Sequence, residues 1–473
     1  MTTDLLPDVV LLEIFGLYLQ EAASRTAWHT LVHVCRKWRA VVFGSPRRLR
    51  LRLHCKASTP VRETLGVWPQ LPIAIWNNGY EKWGVGNIIA ALGHNNRICR
   101  ITLPDIPNPQ VLAAMRQPFP ALTHLRLQTE NGTTPICSDS FLGGSSPPRL
   151  RSLFLDCIPI PGLPNLLLFA TELVDLELWR IPHAGYFSPE ALATCLSVLT
   201  RLKKLVIRFE SPQSRPDPKL RRTHPQTRTL LPVLTHLEFK GVDEYLEDLV
   251  ARIDAPLLDK LDIVFFHQLM FNTPQLALFI SRTPKLKTHD GAHVFFFNKS
   301  VLVSLPQTFS GSLNLAILCS QSDWQLSSLA QVCSSSFQQV LVPAVEHLYI
   351  HEDGCAQLRW QDDIESSQWL ELLHPFTAVK DLHISLGFVQ RIASSLQELA
   401  QEGVTEVLPT LQSIFLEKIL PSGPVQEAIG RFVAARQLVS HPVAVSRWEK
   451  KVGLSTYFPF YDWLHLLNSR PSS

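Results

Sequence analysis

The sequence predicts an α/β protein in which a short helical head precedes an irregular strand-helix solenoid. Three observations lead to this prediction. The chain has 473 residues, 46% of them apolar and only 18% charged, a composition that excludes a largely disordered chain. The pattern apolar-x-x-apolar-x-apolar recurs along most of its length. Helix-start signals lie between several copies of that pattern, so strands and helices are expected to alternate.

The first 46 residues predict two amphipathic helices. Pro7 suits a first helical turn, and apolar residues follow it at three- and four-residue spacing from Leu11 to Leu19. A second apolar stripe runs from Trp28 to Val42, and a Gly-Ser-Pro run ends it. Two apolar faces on so short a segment predict packing against a partner or against the next domain.

Particular residues at both ends of this head carry a resemblance to a known family. They are Leu6, Pro7, Leu11, Ile14, Phe15, Leu19 and the run from Val34 to Arg39. With them, residues 1–46 resemble an F-box, and the stretch AWHTLVHVCRKWRAVVFGSPRRLRLRL is similar to the large F-box families of filamentous fungi. The alternative is an ordinary helical hairpin whose leucine, phenylalanine and tryptophan side chains form a core.

Residues 47–97 are predicted to link the head to the repeats and to cap them. Basic and apolar residues alternate from Arg47 to Leu53, as in a strand with one buried face. Gly84 and Gly86 precede a helical pattern, but Ile89 occupies the third small position of a dinucleotide-binding fingerprint. We therefore predict a turn before a helix at this place.

The repeat itself is predicted over residues 98–440. Its first seven copies start between Ile98 and Leu258 at intervals of 23 to 32 residues, and further copies start at 345, 379 and 411. Leucine-rich repeats have periods of 20 to 29 residues, so the body resembles a leucine-rich-repeat array with insertions. The array is irregular, because Ile106, Ile158, Ile181 and Val242 stand where Asn or Cys is often found. Between 264 and 344 the register stays open, although strands near Val294 to Phe297 and Leu313 to Ile317 fit.

Helices are predicted between the strands. Ser188-Pro189 and Thr273-Pro274 each combine an N-cap residue with a proline in the first turn, and a helical apolar pattern follows both. Similar faces run over 246–253 and 425–433. Stacked strand-helix units bury a continuous core that no unit buries alone. Residues 441–473 are assigned to a C-terminal tail.

Charge, cysteines and motifs exclude several classes of function. A net charge of +3 gives no argument for nucleic-acid binding, and nine cysteines without metal-ligand spacing favour neither a disulfide framework nor a metal site. No transmembrane segment or signal peptide is indicated, which predicts a protein of the cytoplasm or nucleus without membrane contact. No catalytic or cofactor motif is found. The sequence thus predicts a non-catalytic protein without a cofactor.

Two surfaces are candidates for target binding. The Pro-rich stretch from Ser211 to Thr229 predicts an exposed, mobile, cationic insertion that recognises acidic or phosphorylated partners. Strand alternation predicts a second, outward face. Its candidate target-binding residues are Arg126, Phe154, Trp179, Lys204, Arg208, Tyr349 and Phe415. Trp179 is expected to be an anchor between opposite charges. Coverage of these aromatic rings by the chain itself is an equally weighted alternative.

The F-box resemblance implies a function. Such proteins are substrate-recognition subunits of SCF-type ubiquitin ligases: the F-box binds a Skp-family adaptor, and through it cullin, while the remaining domain holds a target protein. The implied adaptor-binding residues are Leu6, Pro7, Leu11, Ile14, Phe15, Leu19, Val34 and Trp38. Catalysis in such a complex is proximity, and this subunit carries no catalytic residue. A leucine-rich-repeat scaffold outside any ligase is the alternative, and an unrecognised hydrolase is a more distant one.

Overall fold

The computed structural model describes most of the chain. The described residues are 6–21, 27–44, 51–58, 61–67, 71–76, 84–104, 109–129, 137, 140–144, 147–216, 227–287, 289–306, 311–319, 321–334, 344–352, 366–401, 405–417 and 423–448. They form two compact units, the first comprising Met1–Lys287 with Thr308–Leu318 and the second Thr288–Gln307 with Cys319–Ser473.

The described helices and strands alternate along most of the chain. The helices are α1 Asp8–Glu21, α2 Ala27–Val34, α3 Arg36–Gly44, α4 Val61–Val67, α5 Val85–Leu92, α6 Pro109–Ala114, α7 Leu163–Leu167, α8 Pro189–Leu196, α9 Asp243–Val250, α10 Pro274–Arg282, α11 Ser322–Val332, α12 Ser366–Leu373, α13 Leu386–Leu399 and α14 Pro424–Leu438. The strands are β1 Leu51–Leu53, β2 Ile73–Trp76, β3 Ile98–Leu103, β4 His124–Gln128, β5 Ser152–Asp156, β6 Asp175–Ile181, β7 Lys204–Phe209, β8 Thr229–Leu230, β9 His236–Gly241, β10 Ile253–Asp254, β11 Lys260–Phe266, β12 Gly291–Phe297, β13 Ser300–Pro306, β14 Ser312–Leu318, β15 His347–Glu352, β16 Asp381–Ile384, β17 Ser413–Leu416 and β18 Ala444–Arg447.

The described part of the head contains three helices rather than the predicted two. The second apolar stripe breaks at Cys35, which separates α2 from α3. The Cys35 carbonyl accepts the Arg39 N–H at 3.1 Å, and its sulfur accepts the Trp38 N–H at 3.4 Å, so Cys35 caps α3. Cysteine is not among the common N-cap residues, so the sequence pattern gave no sign of this break.

The first unit is built on a parallel sheet. Its strands are ordered β1-β2-β3-β4-β5-β6-β7-β9-β11-β14, and each neighbouring pair is parallel. The register aligns the repeated leucines, since Leu125 pairs with Leu153, which pairs with Leu176. All three are at most 1% exposed. The prediction of one strand per leucine pattern is confirmed, and β14 falls on the strand suggested near Leu313.

Helices cover one face of this sheet. Crossovers between parallel neighbours are almost always right-handed, which places the intervening helices on one side of a sheet. Consecutive helices such as α8, α9 and α10 pack together. The Ser188 hydroxyl accepts the Ala191 N–H at 3.1 Å, which confirms the predicted cap of α8. Thr273, in contrast, makes no side-chain cap for α10, because the Glu247 carboxylate of α9 takes that place.

Residues 47–97 contribute two strands and two helices to the first unit. β1 and β2 pair in parallel, and β2 pairs with β3, so the sheet begins before the first predicted repeat. Gly84 caps α5, and a Cβ atom there would lie 2.6 Å from the Lys56 carbonyl oxygen. Glycine is needed for this close backbone contact. The contact explains Gly84, so no phosphate-binding role is needed to explain it.

In the second unit the strands are ordered β13-β12-β15-β16-β17-β18. β12 and β13 form an antiparallel pair, while β12, β15, β16, β17 and β18 run parallel. The antiparallel pair explains why no repeat register could be assigned here, since two of the strands belong to a hairpin rather than to strand-helix units. β18 lies inside the segment assigned to a tail, and residues 449–473 of that segment lie outside the described residues.

The described ends of the Pro-rich insertion contact the rest of the first unit at a few places. Ser214 is 1% exposed, and Arg215 lies 3.7 Å from the Glu244 carboxylate. Arg228 donates a hydrogen bond to the Ala251 carbonyl, and β8 pairs in parallel with β10. Most residues at these ends, such as Pro212, Gln213 and Arg228, are exposed as expected, and residues 217–226 lie outside the described part.

Two further expectations concern the environment of the protein. Within the described ranges, no helix is long and apolar enough to cross a bilayer. The cysteines described there carry free thiols, and most of them are buried.

Candidate recognition surfaces

The head has a core of its own. Leu11 and Phe15 of α1 are fully buried against residues of α2 and α3, and the Trp38 ring lies 4.7 Å from the Phe15 ring. Lys37 and Arg39 donate to the carbonyls of Leu6 and Val32, at 2.8 and 2.9 Å. These contacts hold the three helices together around one side of α1.

The predicted adaptor-binding residues separate into two groups. Leu6, Pro7, Ile14 and Val34 are exposed. Leu11 and Phe15 are buried in the head and Trp38 is partly buried against them, so these three stabilise the head and do not offer free side chains to a partner. The Leu19 side chain lies outside the described residues.

The opposite side of α1 is apolar as well. Val9, Val10, Leu17 and Tyr18 are 58%, 42%, 61% and 40% exposed, and Ile14 is 43% exposed. Val10, Ile14 and Leu17 share one face, since they follow each other at four- and three-residue spacing. Val9, Val10 and Leu17 are not among the residues predicted for the surface, although the apolar residues on two faces of α1 were the available signal. This exposed face, formed by Val10, Ile14 and Leu17, is referred to as the α1 stripe.

In the first unit, four predicted target-binding residues form one stack. The Arg126 guanidinium lies 3.7 Å above the Phe154 ring, and the Phe154 and Trp179 rings are 5.7 Å apart. The Arg208 guanidinium lies 3.9 Å above the Trp179 ring. Cationic groups therefore stand at both ends of an aromatic pair, an arrangement in which ring faces attract positive charge.

The stack corrects the expectation that these aromatic residues are exposed. Phe154 is 7% exposed and Arg208 9%, while Trp179 is half-buried between them. The sequence left open whether these rings are exposed for binding or covered by the chain itself. The chain covers Phe154 and most of Trp179. Arg180, next to Trp179, has a φ of 45° and interrupts the β6–β7 register, so a bulge directs the tryptophan toward its neighbours.

Ion pairs cross the strands on the same face. Lys204, another predicted target-binding residue, lies 3.0 Å from the Glu177 carboxylate, and Arg208 pairs with buried Glu238. Burial alone would raise the pKa of Glu238, but its bonds with His236 and the charge of Arg208 outweigh burial and lower that pKa. Arg208 is thus held by a carboxylate and is not available to a partner.

His236, Glu238 and Asp262 bring nitrogen and oxygen atoms within 4.8 Å of one another, as metal ligands do. Two cations already balance the carboxylates, because Arg208 pairs with Glu238 and Lys260 lies 3.1 Å from Asp262. Asn314 also donates to Asp262 at 2.8 Å. This arrangement works as an ion-pair network, in which a further divalent cation would meet two positive neighbours.

Tyr349 and Phe415 belong to a ladder of rings in the second unit. The rings stack in the order His293, Tyr349, His383 and Phe415, with centroids 4.4, 4.2 and 4.4 Å apart and planes within 15° of parallel. Each ring comes from the next strand, because the four residues pair in register across β12, β15, β16 and β17. This ring ladder thus results from parallel pairing.

The ring ladder is half-buried and neutral. Trp448 lies across it, 5.3 Å from His383 and 6.0 Å from Tyr349. Burial lowers the pKa of both His293 and His383 to about 4. The sequence pattern identified Tyr349 and Phe415 but not the histidines, which become partners only through the strand register.

Comparisons with known proteins add little to this description. No model of a protein family matches the chain, and no curated protein matches it. Among solved structures, the chain is similar to the leucine-rich-repeat-containing protein LegL7 from Legionella pneumophila, with 13% identity over 81% of this chain and 97% of that one. The TM-score is 0.29, so this likeness carries no argument.

Proposed function

We propose that this protein is the substrate-recognition subunit of an SCF-type (Skp-cullin-F-box) ubiquitin ligase. Its head binds a Skp-family adaptor, and its repeat body binds a target protein. The observation that carries the proposal is the α1 stripe, an exposed apolar face on a head whose core is already complete. Exposed apolar patches of this kind mark surfaces that bind another protein.

The division of residues in the head supports this proposal. Leu11 and Phe15 stabilise the three-helix arrangement, whereas Val10, Ile14 and Leu17 present side chains outward from the same helix. A partner that covers the outward residues needs no rearrangement of the inner ones. The head therefore acts as a preformed docking element, which limits the ordering cost of binding.

In such a complex the protein accelerates ubiquitin transfer without contributing a reacting group. Holding the target and the adaptor on one chain raises the effective concentration of a target lysine near the charged conjugating enzyme. Adaptor binding at the head and target binding at the sheet faces are separate requirements, so each can be removed by its own substitutions.

Co-purification with a co-expressed Skp-family adaptor tests the proposal. The double substitution Ile14→Glu with Leu17→Lys keeps helix-forming residues but places charge on the α1 stripe, and it should reduce adaptor recovery more than tenfold. Leu278→Glu, at a 49% exposed position of α10, is the matched control and should leave recovery unchanged.

Circular dichroism of the variants separates lost binding from lost folding. Undiminished recovery of the adaptor with the double variant would contradict the role of the α1 stripe. If the wild-type protein does not recover the adaptor, the ligase proposal fails, and the repeat scaffold acting outside a ligase is the alternative that remains.

A further inference from the structure

One row of side chains crosses β2, β3 and β4 of the first unit. The register pairs Trp76 with Thr102 and Thr102 with Arg126, so the three point to the same side of the sheet. Trp76 is 41% exposed, and Arg126 is exposed although its guanidinium rests on Phe154. A large aromatic ring, whose centroid lies 5.4 Å from that of the His54 ring, and a cation therefore stand on one side of the sheet, with a small residue between them.

The neighbouring row adds more positive charge. Ala74, Arg100 and His124 are paired across the same three strands, and Arg100 is exposed. His124 is half-buried and lies 2.9 Å from the Thr123 hydroxyl. The two rows together form what we call the β2–β4 surface, defined by Trp76, Arg100, His124 and Arg126.

The strands that form this surface offer Arg126 no acidic partner. The described strands β2, β3 and β4 contain no acidic residue. The nearest acids along the sheet already have cationic partners, since Asp156 lies 2.6 Å from Arg180, and Glu177 lies 3.0 Å from Lys204. Within the described residues, Arg126 takes part in no ion pair, and its contact is the Phe154 ring.

We propose that the β2–β4 surface binds a short acidic segment of a protein, with an apolar side chain of that segment against Trp76 and a carboxylate at Arg126. The inference rests on the proposed function only in that the segment belongs to the target. Charge complementarity supplies the carboxylate, and the exposed ring supplies the apolar contact. An arginine stacked on an aromatic ring keeps its donor edge pointing outward for a carboxylate.

The distance between Trp76 and Arg126 also predicts the spacing of the two recognised residues in the bound segment. Adjacent strands lie about 4.8 Å apart, so Trp76 and Arg126, two strands apart, are separated by about 10 Å. An extended peptide advances about 3.3 Å per residue, so the apolar and acidic residues of the bound segment should be about three positions apart. The positive surface is only three strands wide, and Glu177 on β6 follows it. A nucleic-acid strand carries negative charge along its whole length, so three strands of positive surface match only a short part of it.

Selection from a displayed library of random 12-residue peptides on the full-length protein tests the inference. Selected peptides should be enriched in Asp and Glu, with an apolar residue about three positions away. A fluorescein-labelled synthetic copy of the most enriched peptide is then titrated by fluorescence anisotropy. Trp76→Ala should weaken its binding about tenfold or more, and Arg126→Ala about fivefold. Raising the ionic strength from 0.05 to about 0.5 M should weaken wild-type binding and affect Arg126→Ala less.

Two matched controls lie elsewhere on the same unit. Arg116→Ala removes an exposed arginine after α6, and Phe169→Ala removes a 60% exposed ring after α7, so both should bind like the wild type. Circular dichroism and melting temperature confirm that each variant is folded.

Three results overturn the inference. They are selected peptides without an acidic excess, unchanged affinity in both the Trp76 and Arg126 variants, and displacement of the peptide by equimolar single-stranded (dT)12, which would assign the surface to nucleic acid. The outcome of the adaptor experiment does not depend on these results. If acidic peptides bind at this surface but the protein does not bind the adaptor, the ligase proposal is contradicted and the inference about the β2–β4 surface stands.

Discussion

Glu247 connects two neighbouring helices of the first unit, and its ionisation should be measurable as a change in stability. Its side chain extends from α9 and accepts the backbone N–H groups of Gln275 and Leu276 at 2.9 and 2.8 Å. Those N–H groups belong to the first turn of α10, where helices have unpaired donors. The residue is 8% exposed, so its carboxylate is largely removed from water.

Burial and hydrogen bonding act on this carboxyl group in opposite directions. Burial raises the pKa of Glu247 from 4.5 to about 7, and the two backbone N–H groups lower it only in part. Because the pKa is higher in the folded than in the unfolded state, the folded state holds the proton more tightly. The stabilisation is complete below pH 4.5 and is lost as the pH rises through 7. At about 1.4 kcal/mol per pKa unit, the full loss is about 3 kcal/mol.

Urea denaturation of the wild type and Glu247→Gln between pH 4.5 and 8.5 measures this loss. The glutamine cannot ionise, so the wild type should lose about 3 kcal/mol relative to the variant across this range. Glu172→Gln, a partly exposed carboxylate paired with Arg201, is the matched control and should differ from the wild type by a nearly constant amount.

Two results would refute this reasoning. A difference that does not change with pH would mean that Glu247 is solvated in the folded protein. A wild type that gains stability over the variant as the pH rises would mean that the N-terminus of α10 stabilises the carboxylate more than burial opposes it.

Further predictions concern the two sheet faces and two backbone contacts. Trp179→Ala should lower the free energy of unfolding in chemical denaturation by about 2 kcal/mol or more, because the ring is enclosed by its neighbours. Unchanged stability together with lost target binding would instead indicate that Trp179 is an exposed anchor. As the pH falls from 6.5 toward 4, the second unit should lose stability, because the pKa values of His293 and His383, about 4, oppose protonation in the folded state. The double variant His293→Phe with His383→Phe should lose less melting temperature over that range. Arg436→Met should cost about 3 kcal/mol, since the buried guanidinium donates to three carbonyl oxygens at 3.1 to 3.2 Å, and a cost below about 1 kcal/mol in urea unfolding would contradict this. Gly84→Ala should cost about 1 to 3 kcal/mol by the same measurement because its Cβ would collide with a backbone oxygen, and a stabilised variant would show that the backbone relaxes freely.

The local pattern of the sequence was sufficient to place most strands. Leucines two residues apart, as in Leu153 and Leu155, face one side of a strand, and burying that side is favourable whichever strand lies next to it. The same holds for the cap of α8, where Ser188 bonds within three residues of its own position. Interactions of this kind are local and can be predicted from short stretches of sequence.

The recognition surfaces depended on contacts that no short stretch contains. Phe154 looked exposed by alternation, but the cation above it comes from Arg126 and its ring neighbour from Trp179, each on a different strand. The head shows the same limit, because a helix that is apolar on two sides does not reveal which side its own partners cover. Leu11 and Phe15 became core residues only when α2 and α3 packed against them.

Alternating strands and helices after a small helical head could be predicted from the sequence, because periodic burial and helix starts depend on residues near one another in the chain. The tertiary structure alone decided which side chains meet, as when parallel register stacks His383 between Tyr349 and Phe415 or when Glu247 caps a helix 28 residues away. The physical reason is that stacking, ion pairing and burial act over a few ångströms in space. Only folding sets those distances between residues that are far apart in sequence.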